Sequence, residues 1–91
     1  MTVKFSLGQT VITPGALDSI LSSGGNPSAY LDRHLSGDWG ELSAEDVAEN
    51  ELSVREGFRI LSAYLLPDGV RIWIITEWDR SSTCILLPEE Y

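Results

Sequence analysis

Residues 58–88 leave this chain the fewest choices. Three runs at 58–66, 70–78 and 83–87 are rich in Ile, Leu, Val, Tyr and Trp, the side chains that suit a pleated, half-buried surface. Pro67-Asp68-Gly69 between the first two is a hairpin turn with a mechanism. Proline presets φ, aspartate bonds the backbone ahead, and glycine accepts the left-handed conformation a short loop needs. Asp79-Arg80-Ser81-Ser82 supplies a second turn without glycine. With Leu66 opposite Val70 and Trp78 opposite Thr83, one face carries Phe58, Ile60, Tyr64, Ile72, Ile74, Trp78, Ile85 and Leu87. The other carries Arg59, Leu61, Ala63, Leu65, Arg71, Trp73, Ile75, Glu77, Cys84 and Leu86.

The first face is the expected core. The second is unusual, because Leu61, Leu65, Trp73, Ile75 and Leu86 make an apolar centre with charges toward the ends. A half-solvated antiparallel sheet normally alternates apolar with polar. Either the chain covers both faces, or those five residues form an interface with a second copy or another protein, anchored by Trp73.

The remaining chain reads as one short strand and three helices. Val3, Phe5 and Leu7 alternate with polar residues and predict a strand broken at Gly8; Thr10-Val11-Ile12 resumes it or leads into a helix. Such a strand pairs with an edge of the meander as a fourth member. Thr13-Pro14 is a helix start with threonine as N-cap, followed by an apolar stripe of Ala16, Leu17, Ile20 and Leu21 and a stop at Gly24-Gly25. Asn26-Pro27 repeats the signal for a helix to about Ser36, with Gly37 as its stop. Ser43 caps a third helix closed by Gly57, with Asp46 placed to reach back to the cap. The expected fold is a single α+β domain over residues 1–91: about three N-terminal helices packed on a three- or four-stranded antiparallel sheet with a C-terminal β-meander.

Composition narrows the function classes. Ninety-one residues make one domain with a modest core, and 43% hydrophobic content with three tryptophans argues for a folded globule. The lone Cys84 has no disulfide partner in the chain, and no signal peptide precedes the fold, so the expected setting is reducing and cytoplasmic. No apolar run approaches the roughly 20 residues a helix needs to span a bilayer, and no membrane association is expected. Fourteen acids against six bases give a net charge of −8, which repels nucleic-acid phosphate and disfavours direct DNA or RNA binding.

Several strings resemble a family of small uncharacterised bacterial proteins found in chromosomes, plasmids and integrated elements. They are Leu7-Gly8-Gln9-Thr10-Val11-Ile12-Thr13-Pro14-Gly15-Ala16-Leu17, Arg33-His34, Gly37-Asp38-Trp39-Gly40, Glu45-Asp46, Asn50, and Arg59-Ile60-Leu61-Ser62-Ala63-Tyr64. Trp73-Ile74-Ile75-Thr76-Glu77, Asp79-Arg80-Ser81 and Ile85-Leu86-Leu87-Pro88-Glu89-Glu90-Tyr91 complete the set, so the resemblance covers nearly the whole chain. Some members carry labels such as plasmid-related protein or restriction-modification subunit. The resemblance implies a group and no mechanism; a role as a mobile-element accessory or inhibitor protein is the functional expectation for an acidic binding module of this kind.

Catalytic constellations are sparse. His34 with Asp38, Glu77, Asp79 and Arg80 is the one set suited to acid–base chemistry, and His34, Glu77 and Arg80 would serve a small ribonuclease as base, acid and phosphate clamp. Ser62, Ser81 and Thr83 have no base nearby in sequence, and the chain has no nucleophile elbow. No metal-ligand spacing or phosphate loop appears, so no metal and no cofactor are expected. Residues 38–56 hold seven of the fourteen acids, and Glu45, Glu49 and Glu56 lie near one face of the third helix. That face is a solvated surface, or one shaped for a basic partner. The leading expectation is a non-enzymatic, acidic binding or regulatory module that engages a protein partner or a second copy.

Overall fold

The computed structural model describes residues 3–91. Strand β1 (Gln9–Ile12) leads into helices α1 (Pro14–Ser22), α2 (Pro27–Ser36) and α3 (Ala44–Glu56), and strands β2 (Ile60–Leu65), β3 (Arg71–Thr76) and β4 (Ser82–Leu86) follow. Each helix begins where a polar side chain takes up a first-turn donor. The Thr13 hydroxyl accepts from Ala16 N–H, the Asn26 side chain from Ser28 N–H and the Ser43 hydroxyl from Asp46 N–H.

The fold is α+β, with a four-stranded open sheet in the order β1-β4-β3-β2. The β2–β3 and β3–β4 pairs are antiparallel, whereas β1 runs parallel to β4. The sheet is therefore mixed, not antiparallel throughout. No hairpin ties β1 to its neighbour, and the intervening helices and strands supply the long connection that parallel pairing needs.

The strand that begins the sheet is shorter than alternation predicts. Residues 3–8 are irregular, and the Phe5 ring turns inward against His34 (centroids 5.1 Å apart) and Trp39 (6.2 Å). The Lys4 N–H donates to the Leu35 carbonyl at the end of α2. This segment follows a helix end, and its alternation marks an aromatic anchor.

The first hairpin has the expected register, with Tyr64 opposite Ile72 and Leu66 N–H bonded to the Val70 carbonyl. The second is displaced by two residues: Thr83 faces Thr76, not Trp78. Arg80 occupies the left-handed region (φ 60°), which lets a glycine-free turn close one step earlier than expected. A two-residue shift preserves the faces, so the core set keeps its side of the sheet. It also strands both flanking aromatics, Phe58 and Trp78, outside the strands at 51% and 65% exposure, where the sequence places them in the core.

Ala16 and Ile20 of α1 pack with Tyr64, Leu66, Ile72, Ile74 and Ile85 on the expected core face, flanked by Tyr30 and Leu31 of α2. The second face is covered in part by the chain's own C-terminal end. The 3-10 turn Pro88–Glu90 brings the Tyr91 ring against Trp73 (5.8 Å), and the Arg59 guanidinium lies over Tyr91 (5.4 Å). Ile75 and Leu86 are buried, Leu61 and Trp73 half-buried, and Leu65 is 50% exposed.

The outer edge of β2 is sealed from within. Asn50 on α3 donates its side-chain amide to the Leu61 carbonyl (2.6 Å) and accepts from Leu61 N–H (3.2 Å), as a neighbouring strand would. One pleat further, Ala63 N–H donates to the Trp39 carbonyl, and its own carbonyl accepts from Glu41 N–H. Among the described residues no helix is long and apolar enough to cross a membrane.

Candidate functional site

His34, the only histidine, sits at the end of α2 with no exposed surface (0%). Its Nδ1 lies 2.5 Å from the Ser62 hydroxyl and its Nε2 2.9 Å from that of Thr76. Thr76 meets Thr83 (2.7 Å), and Thr83 donates to the Leu7 carbonyl (2.7 Å). Each hydroxyl has one proton to give, so the carbonyl at the end sets every direction. Thr83 spends its proton on Leu7, Thr76 donates to Thr83, His34 donates from Nε2 to Thr76, and Ser62 donates to Nδ1. The imidazole is neutral with its proton on Nε2. Burial pushes its pKa down to about 3.

A hydroxyl donating to a histidine is the first half of a nucleophile–base pair. Here the ring's far side meets a threonine hydroxyl, which offers an imidazolium none of the stabilisation a carboxylate would. Ser62, Thr76 and Thr83 are also fully buried, which leaves no surface for a reacting group. The chemistry this chain of groups performs is satisfaction of polar atoms inside a core. No buried side-chain nitrogen or oxygen among the described residues lacks a partner.

The His34, Glu77 and Arg80 trio does not converge. Glu77 follows β3 on the second face by strand alternation, while His34 serves the first. His34 and Arg80 each meet the Phe5 ring, with centroids 5.1 Å apart for His34 and the Arg80 guanidinium 5.7 Å from the ring centroid, and no hydrogen bond joins the two. Arg80 is a carbonyl clamp: Nη1 donates to Phe58 (2.7 Å), Glu77 and Trp78 (both 3.1 Å), and Nη2 to Ser53 (2.8 Å). The bond to the Ser53 carbonyl, which also accepts from Gly57 and Phe58 N–H, ties the last turn of α3 to the β3–β4 turn.

Gly37-Asp38-Trp39-Gly40 is an equally structural device. Gly37 ends α2 in the left-handed region, and Asp38 forms an exposed ion pair with Arg33 (2.7 Å), which holds the Asp38 carboxyl below its usual range. The Asp38 carbonyl accepts from the Tyr64 hydroxyl (2.6 Å), and burial raises that phenol to about 12. Trp39 is a buried lid; its ring lies edge-on to His34, and its Nε1 donates to Glu51 (2.8 Å). Gly40 bridges to Ala63, where a Cβ would overlap the Ala63 carbonyl oxygen.

The exposed chemistry lies along α3. Glu45, Glu49 and Glu56 are all exposed, spaced to share one helical face. Beside them, α3 and the start of β2 enclose a groove of about 210 Å³ lined by Leu42, Asp46, Glu49, Asn50, Arg59 and Leu61. The fold thus joins two sets that sequence treats separately, since Glu49 belongs to the acidic stripe and Leu61 to the second sheet face. Leu65, Trp73, Ile75 and Leu86 do not line this groove. Among the described residues no three or more His, Cys, Asp or Glu side chains stand close enough to hold a metal ion.

No protein-family model, curated protein or solved structure matches the chain. The roles of Asn50, Phe5 and the hydroxyl ladder are not evident from their positions in the sequence. Ser62, Thr76 and Thr83 were detectable as small polar residues alternating with Ile and Tyr on the core face, a pattern that calls for a buried polar partner. His34 is the hydrogen-bond partner that Ser62 lacks among its neighbours in sequence, and its role there is structural.

Proposed function

We propose that this protein is a non-enzymatic binding module that docks a basic, partly apolar segment of a protein partner along α3. The observation that carries the proposal is the groove between α3 and β2, lined by Leu42 and Leu61 and by Asp46 and Glu49, with Arg59 as its one cation. The exposed stripe of Glu45, Glu49 and Glu56 continues these carboxylates along the helix. Carboxylates at helical spacing beside a mixed groove that offers Leu42 and Leu61 suit a segment in which Lys or Arg alternates with a large aliphatic residue, the basic groups lying on the α3 side, away from Arg59. The net charge of −8 steers such a partner toward the surface. A protein of this kind acts by occupying its partner's basic surface, as an inhibitor or accessory factor of a nucleic-acid-binding protein would.

A fluorescent peptide of alternating arginine and leucine is the probe. Binding should weaken at least tenfold when Glu45, Glu49 and Glu56 are all changed to Lys, and its salt dependence should flatten. Leu61→Ser should weaken binding while keeping the salt slope. Equal affinity for wild type and the triple variant would remove α3 from the binding surface.

A further inference from the structure

Arg59 belongs to two surfaces at once. Its side chain lines the α3–β2 groove with Asp46 and Glu49, and its guanidinium lies over the Tyr91 ring, 5.4 Å from the centroid. Carboxylates sharing a groove with a guanidinium are its expected partners. Among the described residues, however, Arg59 forms no ion pair. An aromatic face holds this cation in place of an acid.

The ring is itself fixed. Tyr91 meets Trp73 on the second face of the sheet, with centroids 5.8 Å apart and planes at 69°. Its N–H donates to the Pro88 carbonyl (3.2 Å). Glu90 Oε1 accepts from the Leu87 N–H (2.8 Å) and from the Thr13 hydroxyl (2.6 Å), which fastens the turn to the start of α1. Tyr91 is therefore a platform set by the fold, and the long, exposed Arg59 stem is the adjustable half of the contact.

We infer that Tyr91 tunes the α3 groove for a basic segment by holding the Arg59 cation clear of Asp46 and Glu49. This role rests on the binding of a basic segment along α3 proposed above, and it adds a residue outside the groove on which the affinity depends. Arginine keeps its charge at any working pH, so only its position can take that charge away from the groove. The groove encloses about 210 Å³, and a released Arg59 stem is long enough to reach a carboxylate across it. There the guanidinium would cancel negative charge and compete with the partner's Lys or Arg for the same oxygens. Over the ring it is attracted to the aromatic face instead, and both carboxylates stay open to the partner. Tyr91 is thus a positioning residue that acts through Arg59.

The fluorescent arginine–leucine peptide tests this on the whole chain at low salt. Tyr91→Leu should weaken binding about two- to fivefold, the range of an exposed cation–π contact, and Tyr91→Phe should keep wild-type affinity. Arg59→Gln should bind more tightly than wild type, and adding Tyr91→Leu to it should change nothing further. Tyr91 is 66% exposed, so these variants should keep the far-ultraviolet circular dichroism spectrum of the wild type. Equal affinity of Tyr91→Leu and wild type overturns the inference, and leaves the α3 reading standing if the triple Glu→Lys variant still loses binding. A loss that persists in the Arg59→Gln background also overturns it, because the ring would then act on the peptide directly. A peptide indifferent to the triple variant removes the α3 binding mode and the role of Tyr91 together.

Discussion

His34 shows how one residue's surroundings settle its chemistry. In the unfolded chain its imidazole titrates near 6.5, and in the folded chain near 3. The folded pKa is lowered, so between these values the unfolded state binds the extra proton. Stability is full above pH 6.5 and falls as pH drops toward 3. Asp38 and Glu90, whose carboxyls are held below their usual range, add their own losses only at more acid pH. The slope of unfolding free energy between pH 7 and 5 is therefore the histidine's signature. His34→Gln cannot reproduce both hydrogen bonds; it should cost about 1–3 kcal/mol at pH 7 and flatten that slope. Urea titrations at pH 7, 6 and 5 measure both effects, and a variant that keeps the wild-type slope would assign the dependence elsewhere.

At the scale of elements, α3 is held less by an apolar stripe than by hydrogen bonds at its flank and end. Asn50 grips Leu61, Glu51 takes the Trp39 indole, and Arg80 takes the Ser53 carbonyl. This attachment leaves the acidic face free for solvent or partner. The segment before α3 depends on Gly40, which combines φ 77° with backbone and ring contact, whereas Gly57, which closes α3, has φ 80° and open space around it. Gly57→Ala should cost about 1 kcal/mol from the left-handed conformation alone. Gly40→Ala pays that cost and must also displace β2, so its loss should exceed that of Gly57→Ala by more than about 1 kcal/mol. Paired denaturation curves check the difference, and equal losses would mean that the bridge to Ala63 contributes little.

The whole molecule is an acidic globule whose charge is unevenly placed. Among the described residues the Arg33–Asp38 contact is the one ion pair, and it is exposed. Exposed pairs contribute little, so self-repulsion outweighs local attraction in the total. Raising NaCl from 0.01 to 0.15 M shortens the Debye length from about 30 to about 8 Å and should raise the thermal midpoint. Scanning calorimetry at fixed protein concentration reads the change, and a midpoint that falls with salt would show attraction to dominate.

Much of the fold was legible because local chemistry determines it. Thr13-Pro14, Asn26-Pro27 and Ser43 start helices through their own side chains, and Pro67-Asp68-Gly69 forms its turn from residues in contact along the chain. Period-two alternation assigned the sheet faces, which survived a two-residue register error because strand faces depend only on parity. The direction of β1, the exposure of Phe58 and Trp78, and the return of Tyr91 onto Trp73 were not legible. Each depends on which distant segment arrives beside it. The candidate site divides the same way. The spacing of Glu45, Glu49 and Glu56 on one face follows from helical geometry, but the groove that joins Glu49 to Leu61 exists only once α3 lies along β2. His34 is the sharpest case: its residue type suggests a base, and only the three hydroxyls and the carbonyl brought to it from β2, β3, β4 and Leu7 make it a buried, neutral link.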